Sequence, residues 1–276
     1  MKIWLICYAH PGRYSSDHIF SLQQKTIETA DTVGEFDEII PFRFEHLDFD
    51  FVSKNQRIFS QPRGAGYWIW KPHLALKMLN SNEVKNGDIV VYIDSKVNFI
   101  SSIRPLIEIF NRDKLSIMTF RQIASSKVYT KKDCFVLTNS TEPKYIETTQ
   151  RVGNFWVFKK DEFSRTFFNL MLEYSQNERI ITDLPSQIPN SPEFNEHRHD
   201  ESLISILAKR FDLYPYKFPC DRYMKIEQAI TNGQFTEESY TRYKQINPDD
   251  WSITTFKQYP DIVTDEKSTY GGIINY

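Results

Sequence analysis

Two groups of residues in this chain could do chemistry. The first is Asp94, which closes the apolar run Asp88-Ile89-Val90-Val91-Tyr92-Ile93. It follows the glycine-bearing, cationic stretch Arg63-Gly64-Ala65-Gly66-Tyr67-Trp68-Ile69-Trp70-Lys71-Pro72. A carboxylate delivered at the carboxyl end of a buried strand sits where ligands collect in an open α/β sheet, because loops converge there. The second group is Glu196-His197-Arg198-His199-Asp200-Glu201, directly ahead of Leu203, Ile206, Leu207 and Phe211 at helical spacing. That polar cluster falls at a helix N-terminus, whose positive dipole end stabilises anions by about 0.3–1 kcal/mol. Asp200 there either caps the helix or remains ionised as a base. Asp94 has a plain alternative too, as the cap of the turn that follows its strand.

The elements that must position these groups alternate between the two periods. Residues 1–8 are apolar and stop at His10-Pro11-Gly12, a first buried strand too short for a signal-peptide core. Residues 18–31 read as a helix and 36–42 as a short strand, while 43–62 read as an ordered aromatic loop with a short helix. Pro72 suits the first turn of the next helix, and Asn86-Gly87-Asp88 turns into the strand that ends at Asp94. A helix over 103–111, a strand over 115–120, a strand over 152–159 and a helix over 161–174 follow. The passage from Leu184-Pro185 through Pro189 to Pro192 cannot be helical throughout. Residues 225–233 and 237–245 look like polar helices. Strand, helix and strand in alternation argue for α/β layers.

Composition limits the partners. The 276 residues suit one large domain with an appendage, and 34 basic against 36 acidic residues leave a net charge of −2. No global field recruits nucleic acid or anionic lipid, so an anionic ligand must be held by local cations. The three cysteines, Cys7, Cys134 and Cys220, show no metal-ligand spacing, and their odd number fits a reducing cytoplasm. No run of about 18 apolar residues is present to span a membrane.

The stretches RGAGYWIWKP, GDIVVYIDS, VYTKKDCFVL and EHRHDESLISIL stand in an order and rough spacing that carry a resemblance. Over about residues 1–215 the chain resembles a bacterial family of GT-A-type glycosyltransferases from capsule and O-antigen polysaccharide clusters. The resemblance implies an α/β, Rossmann-like mixed sheet flanked by helices, assigned to residues 1–220, and the change of residue character beyond that sets 221–276 apart as a C-terminal helical extension. It implies a nucleotide-diphosphate sugar donor, most simply a UDP-sugar, and a glycan or lipid-linked glycan acceptor at the inner face of the membrane.

Such an enzyme must hold a diphosphate, stabilise it as a leaving group and deprotonate an acceptor hydroxyl, so fixed cations or a metal aimed at the phosphates matter most. On this resemblance the donor site draws on Asp94, Ser95, Arg63, Gly64, Gly66, Tyr67, Trp68, Lys71, Lys131, Arg198 and His199. Asp200 is the first choice of base, with Glu201 and Asp133 as competitors. Asp94 resembles the first acid of the Asp-x-Asp motif of these enzymes, but Lys96 stands where the second acid belongs. Either Asp94 with His197 or His199 completes a sparse Mn²⁺ or Mg²⁺ site, or cations replace the metal. The rival from another class is a catalytically inactive nucleotide-sugar or glycan-binding module. A nucleotidyl-transferring enzyme on a related sheet would need a basic N-terminal loop, and His10-Pro11-Gly12-Arg13 is a poor one.

Overall fold

The protein is described from a computed structural model, which covers residues 1–11, 15–220, 232, 267 and 270–275. The polar helices expected at 225–233 and 237–245, and most of the extension 221–276, lie outside the described residues.

Strand β1 (Ile3–Ala9) is buried at every position because it has neighbours on both edges and helices on both faces. It pairs in parallel with β2 (Glu38–Arg43) on one side and β3 (Ile89–Asp94) on the other. The short β4 (Asn98–Phe99) leaves this sheet and pairs with β9 (Ile274–Asn275). Strands β5 (Ile117–Ser125), β6 (Thr149–Arg151), β7 (Phe155–Lys159) and β8 (Pro215–Tyr216) complete a seven-stranded mixed sheet. Its order is β2-β1-β3-β7-β5-β6, with β8 added to β5. β7 runs antiparallel to β3 and to β5, so the parallel half meets an antiparallel half beside Asp94.

The two-residue period of the strands sorts the core into two layers. Trp4, Ile6, Tyr8, Val90, Tyr92, Trp156 and Phe158 face one side. There they pack with the helices Trp70–Asn80, Glu162–Ser175 and His199–Arg210. Ile3, Leu5, Cys7, Ile89, Val91, Ile93 and Val157 face the other side, with Ile103, Leu106, Ile107 and Phe110 of the helix region around Arg104–Arg112. Asp94 lies two residues beyond Tyr92 and so shares the face that carries the Trp70–Asn80 helix. This parity is what brings Asp94 to the start of that helix.

Three departures from the sequence reading have local causes. The run 43–62 holds short helices at Phe49–Lys54 and Gln56–Phe59. The unpatterned stretch after residue 125 holds Ser126–Tyr129 and Lys132–Leu137. The strand expected over 152–159 begins only at Phe155, and Val152-Gly153-Asn154 join β6 to β7.

The loop before the Trp70–Asn80 helix is a left-handed turn. Gly64, Ala65, Gly66, Tyr67 and Trp68 all have positive φ, from 51° to 90°. Each non-glycine residue in this conformation costs about 1–2 kcal/mol, so such runs persist only where surrounding contacts over-determine them. Here the Tyr67 N–H donates to Arg63 O at 2.8 Å, and the Trp70 indole N–H donates to Gly64 O at 3.0 Å. A Cβ on Gly64 would lie 2.4 Å from the Trp68 ring. Gly64→Ala should therefore destabilise the protein by about 1–3 kcal/mol in urea unfolding. A loss within about 0.5 kcal/mol, the range of ordinary surface changes, would show that this turn is not held as described.

Candidate active site

The ammonium of Lys71 organises the site. Lys71 lies in the first turn of the Trp70–Asn80 helix, where the macrodipole disfavours a cation, and it is only 2% exposed. Three acceptors offset both penalties: Asp200 Oδ2 at 2.8 Å, Asp94 Oδ1 at 3.1 Å and Gly153 O at 2.8 Å. The rings of Tyr92, Trp70, Trp156 and Trp68 surround the ammonium, with centroids 5.1, 5.7, 5.7 and 5.9 Å away. A desolvated cation gains about 2 kcal/mol or more from such a face. Burial works against the Lys71 charge, but Asp200 and Asp94 more than offset it and its pKa rises.

Asp94 and Asp200 are thus brought together from residues far apart in sequence, through a shared ammonium. Asp94 also accepts a hydrogen bond from the Tyr92 hydroxyl on the same Oδ1. Neither acid serves as a simple cap, since the turn amide of Val97 goes to the Asp94 backbone carbonyl and no side chain caps the His199–Arg210 helix. Asp200 is 4% exposed, and burial raises its carboxyl to about 7 against the pull of Lys71, with Glu201 and Asp94 adding to the rise. One ammonium cannot neutralise three neighbouring carboxylates, so a retained proton is the expected outcome. Glu201 accepts from Gln122 Nε2 at 3.0 Å and from the Gly153 N–H at 3.3 Å, and burial raises its pKa also.

Gly153 carries no signal in the sequence, yet the cluster requires it. A Cβ there would lie 2.5 Å from Glu201 Cγ and 2.8 Å from Asp200 Oδ2. Its carbonyl takes the third proton of Lys71 and its amide serves Glu201.

A cavity of about 150 Å³ opens on the Asp94 side of this cluster. It lies at the carboxyl ends of β1 and β3, where the chain has wound to β2 on one side and β3 on the other. That is the switch point at which open α/β sheets bind ligands. Its walls are Tyr8 at the end of β1 with His10 and Pro11 after it, Ile19 of the helix Ser16–Thr29, Pro62, Gly64, Ala65, Trp68 and Trp70 in and around the left-handed loop, and Asp94 at the end of β3 with Ser95 and Lys96 after it. Trp70 stacks on Tyr8 at 4.0 Å, and the buried Tyr8 hydroxyl has no hydrogen-bond partner. Neither Tyr8 nor Trp70 stood among the site residues expected from sequence, because an aromatic on a buried strand or helix start reads equally as core.

Of the residues expected to hold a donor, Asp94, Ser95, Gly64 and Trp68 reach the cavity wall. Several others are engaged elsewhere. Arg63 bonds Asp183 at 3.0 Å and Glu196 at 2.9 Å, and Arg198 bonds the same Glu196 at 2.7 Å. Lys131 is buried and donates to Thr182 O and Leu184 O at 2.6 and 3.1 Å. Gly66 and Tyr67 are buried parts of the loop that do not line the cavity. Lys71 is behind the wall. Asp133 is paired with Arg179 at 2.9 Å and accepts from the Gln187 N–H at 3.0 Å, which anchors the proline-rich loop, and it does not line the cavity. Asp200 does not line the cavity either; Lys71 stands between.

The proposed metal set is not assembled. His197 donates Nε2–H to Ile180 O at 2.8 Å and accepts at Nδ1 from the Lys131 N–H at 3.3 Å, so both nitrogens are committed. His199 uses Nδ1–H for Ile181 O at 2.7 Å, and its Nε2 lies 3.6 Å from Asp183 Oδ1, between the rings of Tyr67 and Trp68. Burial holds both imidazoles neutral, with His199 lowered to about 4. Among the described residues no three His, Cys, Asp or Glu side chains converge on a metal-sized point. A divalent ion of the Asp-x-Asp kind does not fit this donor set, because among the described residues Asp94 is the one acid on the cavity wall and Lys96 stands beside it.

No family model matches the chain, and no curated protein does. Among solved structures it is similar to mouse xyloside xylosyltransferase 1 in its apo form, with a TM-score of 0.50 at 11% identity over 99% of this chain and 96% of that one. A second similar structure is a putative glucose-1-phosphate thymidylyltransferase from Bacillus anthracis in complex with a sucrose. It has a TM-score of 0.39 at 13% identity, covering 92% of this chain and 99% of that one. The fold is α/β of the GT-A type: a Rossmann-like mixed sheet flanked by helices, as in the xylosyltransferase.

Lys71→Met should cost about 3–5 kcal/mol in denaturant unfolding, because it strands the buried Asp200 and the partly buried Asp94 without their cation. A loss under about 1 kcal/mol would contradict the shared ion pair. A pH effect follows from Asp200. Its folded pKa lies above the ordinary 3.8, so the folded chain keeps a proton that the unfolded chain has released between about pH 4 and 7. Its contribution to stability is full below that window and lost as pH rises through it. The stability of the wild type relative to Asp200→Asn should therefore fall from pH 4 to pH 7, as read by urea unfolding at both pH values. A relative stability that rises over the same range would mean that Asp200 is not raised.

Proposed function

We propose that this protein is a glycosyltransferase that moves a sugar from a nucleotide-diphosphate donor, a UDP-sugar in the simplest reading, to a hydroxyl of a growing glycan. The observation that carries the reading is the cavity at the β1/β3 switch point of a GT-A-type sheet, with aromatic rings, Asp94 and a lysine on its wall. Trp68 offers a face for a base or a sugar ring, with Trp70, stacked on Tyr8, behind it. The Tyr8 hydroxyl, buried without a partner, and Asp94 Oδ2, which no described residue uses, are free to meet sugar or ribose hydroxyls.

In the transfer the acceptor oxygen bonds to the anomeric carbon as the bond from that carbon to the diphosphate oxygen breaks. The electron pair leaves with the nucleoside diphosphate, and the acceptor proton passes to a base. Asp94 is the carboxylate on the cavity wall, and we assign it to the substrates. Lys71 and Asp200 are assigned as positioning residues that fix Asp94 and the loop around it. The acceptor is a glycan or lipid-linked glycan of surface polysaccharide assembly, met at the cytoplasmic face of a membrane. Among the described residues no helix is long and apolar enough to cross one.

The withdrawal of Asp200 behind Lys71 favours one competing reading, a nucleotide-sugar or glycan-binding module without turnover. Incubation with UDP-, GDP- and dTDP-sugars separates the two. At least one donor should raise the melting temperature, since a ligand at 100 times its Kd stabilises by about 2.7 kcal/mol, and should be transferred or slowly hydrolysed. Asp94→Asn should lower turnover at least about tenfold, a change of about 1.4 kcal/mol. Binding without any turnover supports the module, and neither binding nor turnover overturns both readings.

A further inference from the structure

We propose that Lys96 is the cation that holds the diphosphate, in the position where GT-A enzymes with a complete Asp-x-Asp motif place a metal-binding acid, and that donor binding needs no divalent ion. The proposal rests on the donor reading above. Among the described residues Lys96 is the sole lysine or arginine on the cavity wall. No ion pair or hydrogen bond joins its side chain to another described residue, whereas Arg63, Lys71 and Lys131 are all engaged by acids or carbonyls.

The Lys96 backbone is fixed from both sides. The Ser95 hydroxyl donates to Tyr8 O at 2.7 Å, the Val97 N–H donates to Asp94 O at 3.1 Å, and Val97 is fully buried. A tight turn locked in this way carries residue 96 at the rim of the cavity beside Asp94. An ammonium there is a compact charge with three donors, suited to phosphate oxygens. The same ammonium, with Lys71 on the other side of Asp94, repels a divalent ion from the one carboxylate that could bind it. His10 also lines the cavity, and burial lowers its pKa, so it adds little positive charge near neutrality.

Isothermal titration calorimetry of the full chain with UDP, GDP and dTDP, each in EDTA and in manganese chloride, tests the proposal. At least one nucleotide should bind the wild type with a Kd that is the same in both conditions within about twofold. Lys96→Ala should weaken that binding about tenfold in both conditions, with an unchanged melting temperature because Lys96 is exposed. Lys96→Asp, which completes an Asp-x-Asp sequence, should bind poorly in EDTA and recover with manganese. A wild-type Kd at least tenfold tighter in manganese overturns the proposal while leaving the donor reading intact, and so does a Lys96→Ala variant that binds like wild type. Failure of all three nucleotides to bind in either condition overturns the proposal and the donor reading together.

Discussion

A single ammonium held between two carboxylates in a desolvated, ring-lined position is the constraint on which the rest of this site depends. Lys71 breaks a local rule by placing a cation in the first turn of a helix, and it is buried as lysines seldom are. Both costs are offset only if Asp94 and Asp200 arrive together with the Gly153 carbonyl. The end of β3, the Trp70–Asn80 helix, the β6–β7 junction and the His199–Arg210 helix are thereby tied at one point. Removing Lys71 leaves the buried Asp200 without its cation, so these elements keep a common geometry.

The electrostatics divide the region into two parts. Behind Lys71, burial of Asp200 and Glu201 raises both carboxyls, Asp200 to about 7 against the pull of Lys71, and their mutual repulsion adds to the rise for Asp200. In front of it lies a cavity walled by indoles, a tyrosine and one acid, with Lys96 at the rim. The left-handed turn Gly64–Trp68 closes this front side. Its tether is the chain of ion pairs from Asp183 through Arg63 and Glu196 to Arg198. The strained loop and the buried cluster therefore support each other across the cavity mouth.

Much of this was legible in the sequence, and the remainder was hidden for physical reasons. The layered α/β order followed from the two hydrophobic periods, and Asp94 stood out because it ends an apolar strand. Gly64 and Gly66 marked the turn, but nothing in the chain announced that Ala65, Tyr67 and Trp68 share its left-handed conformation. The cations were the least readable group. Arg63, Lys71 and Lys131 look alike as charges, and only tertiary contacts show that each is consumed by an acid or a carbonyl. Lys96, which in the sequence reads as an obstacle to a metal, is the lysine that faces the cavity. His197 and His199 resembled ligands because spacing cannot reveal that backbone carbonyls already hold their rings. Gly153 could not be found at all, since its role is the absence of a Cβ between residues distant in sequence.

The shared ion pair is tested most directly by a double-mutant cycle on unfolding free energy with Asp94→Asn, Asp200→Asn and the double variant. Because both acids act on one ammonium, the account expects the two effects to be non-additive by at least about 0.5 kcal/mol, the lower end of couplings between residues in contact. Additivity within about 0.3 kcal/mol would mean that Asp94 and Asp200 do not share Lys71, and the site described here would not exist in solution.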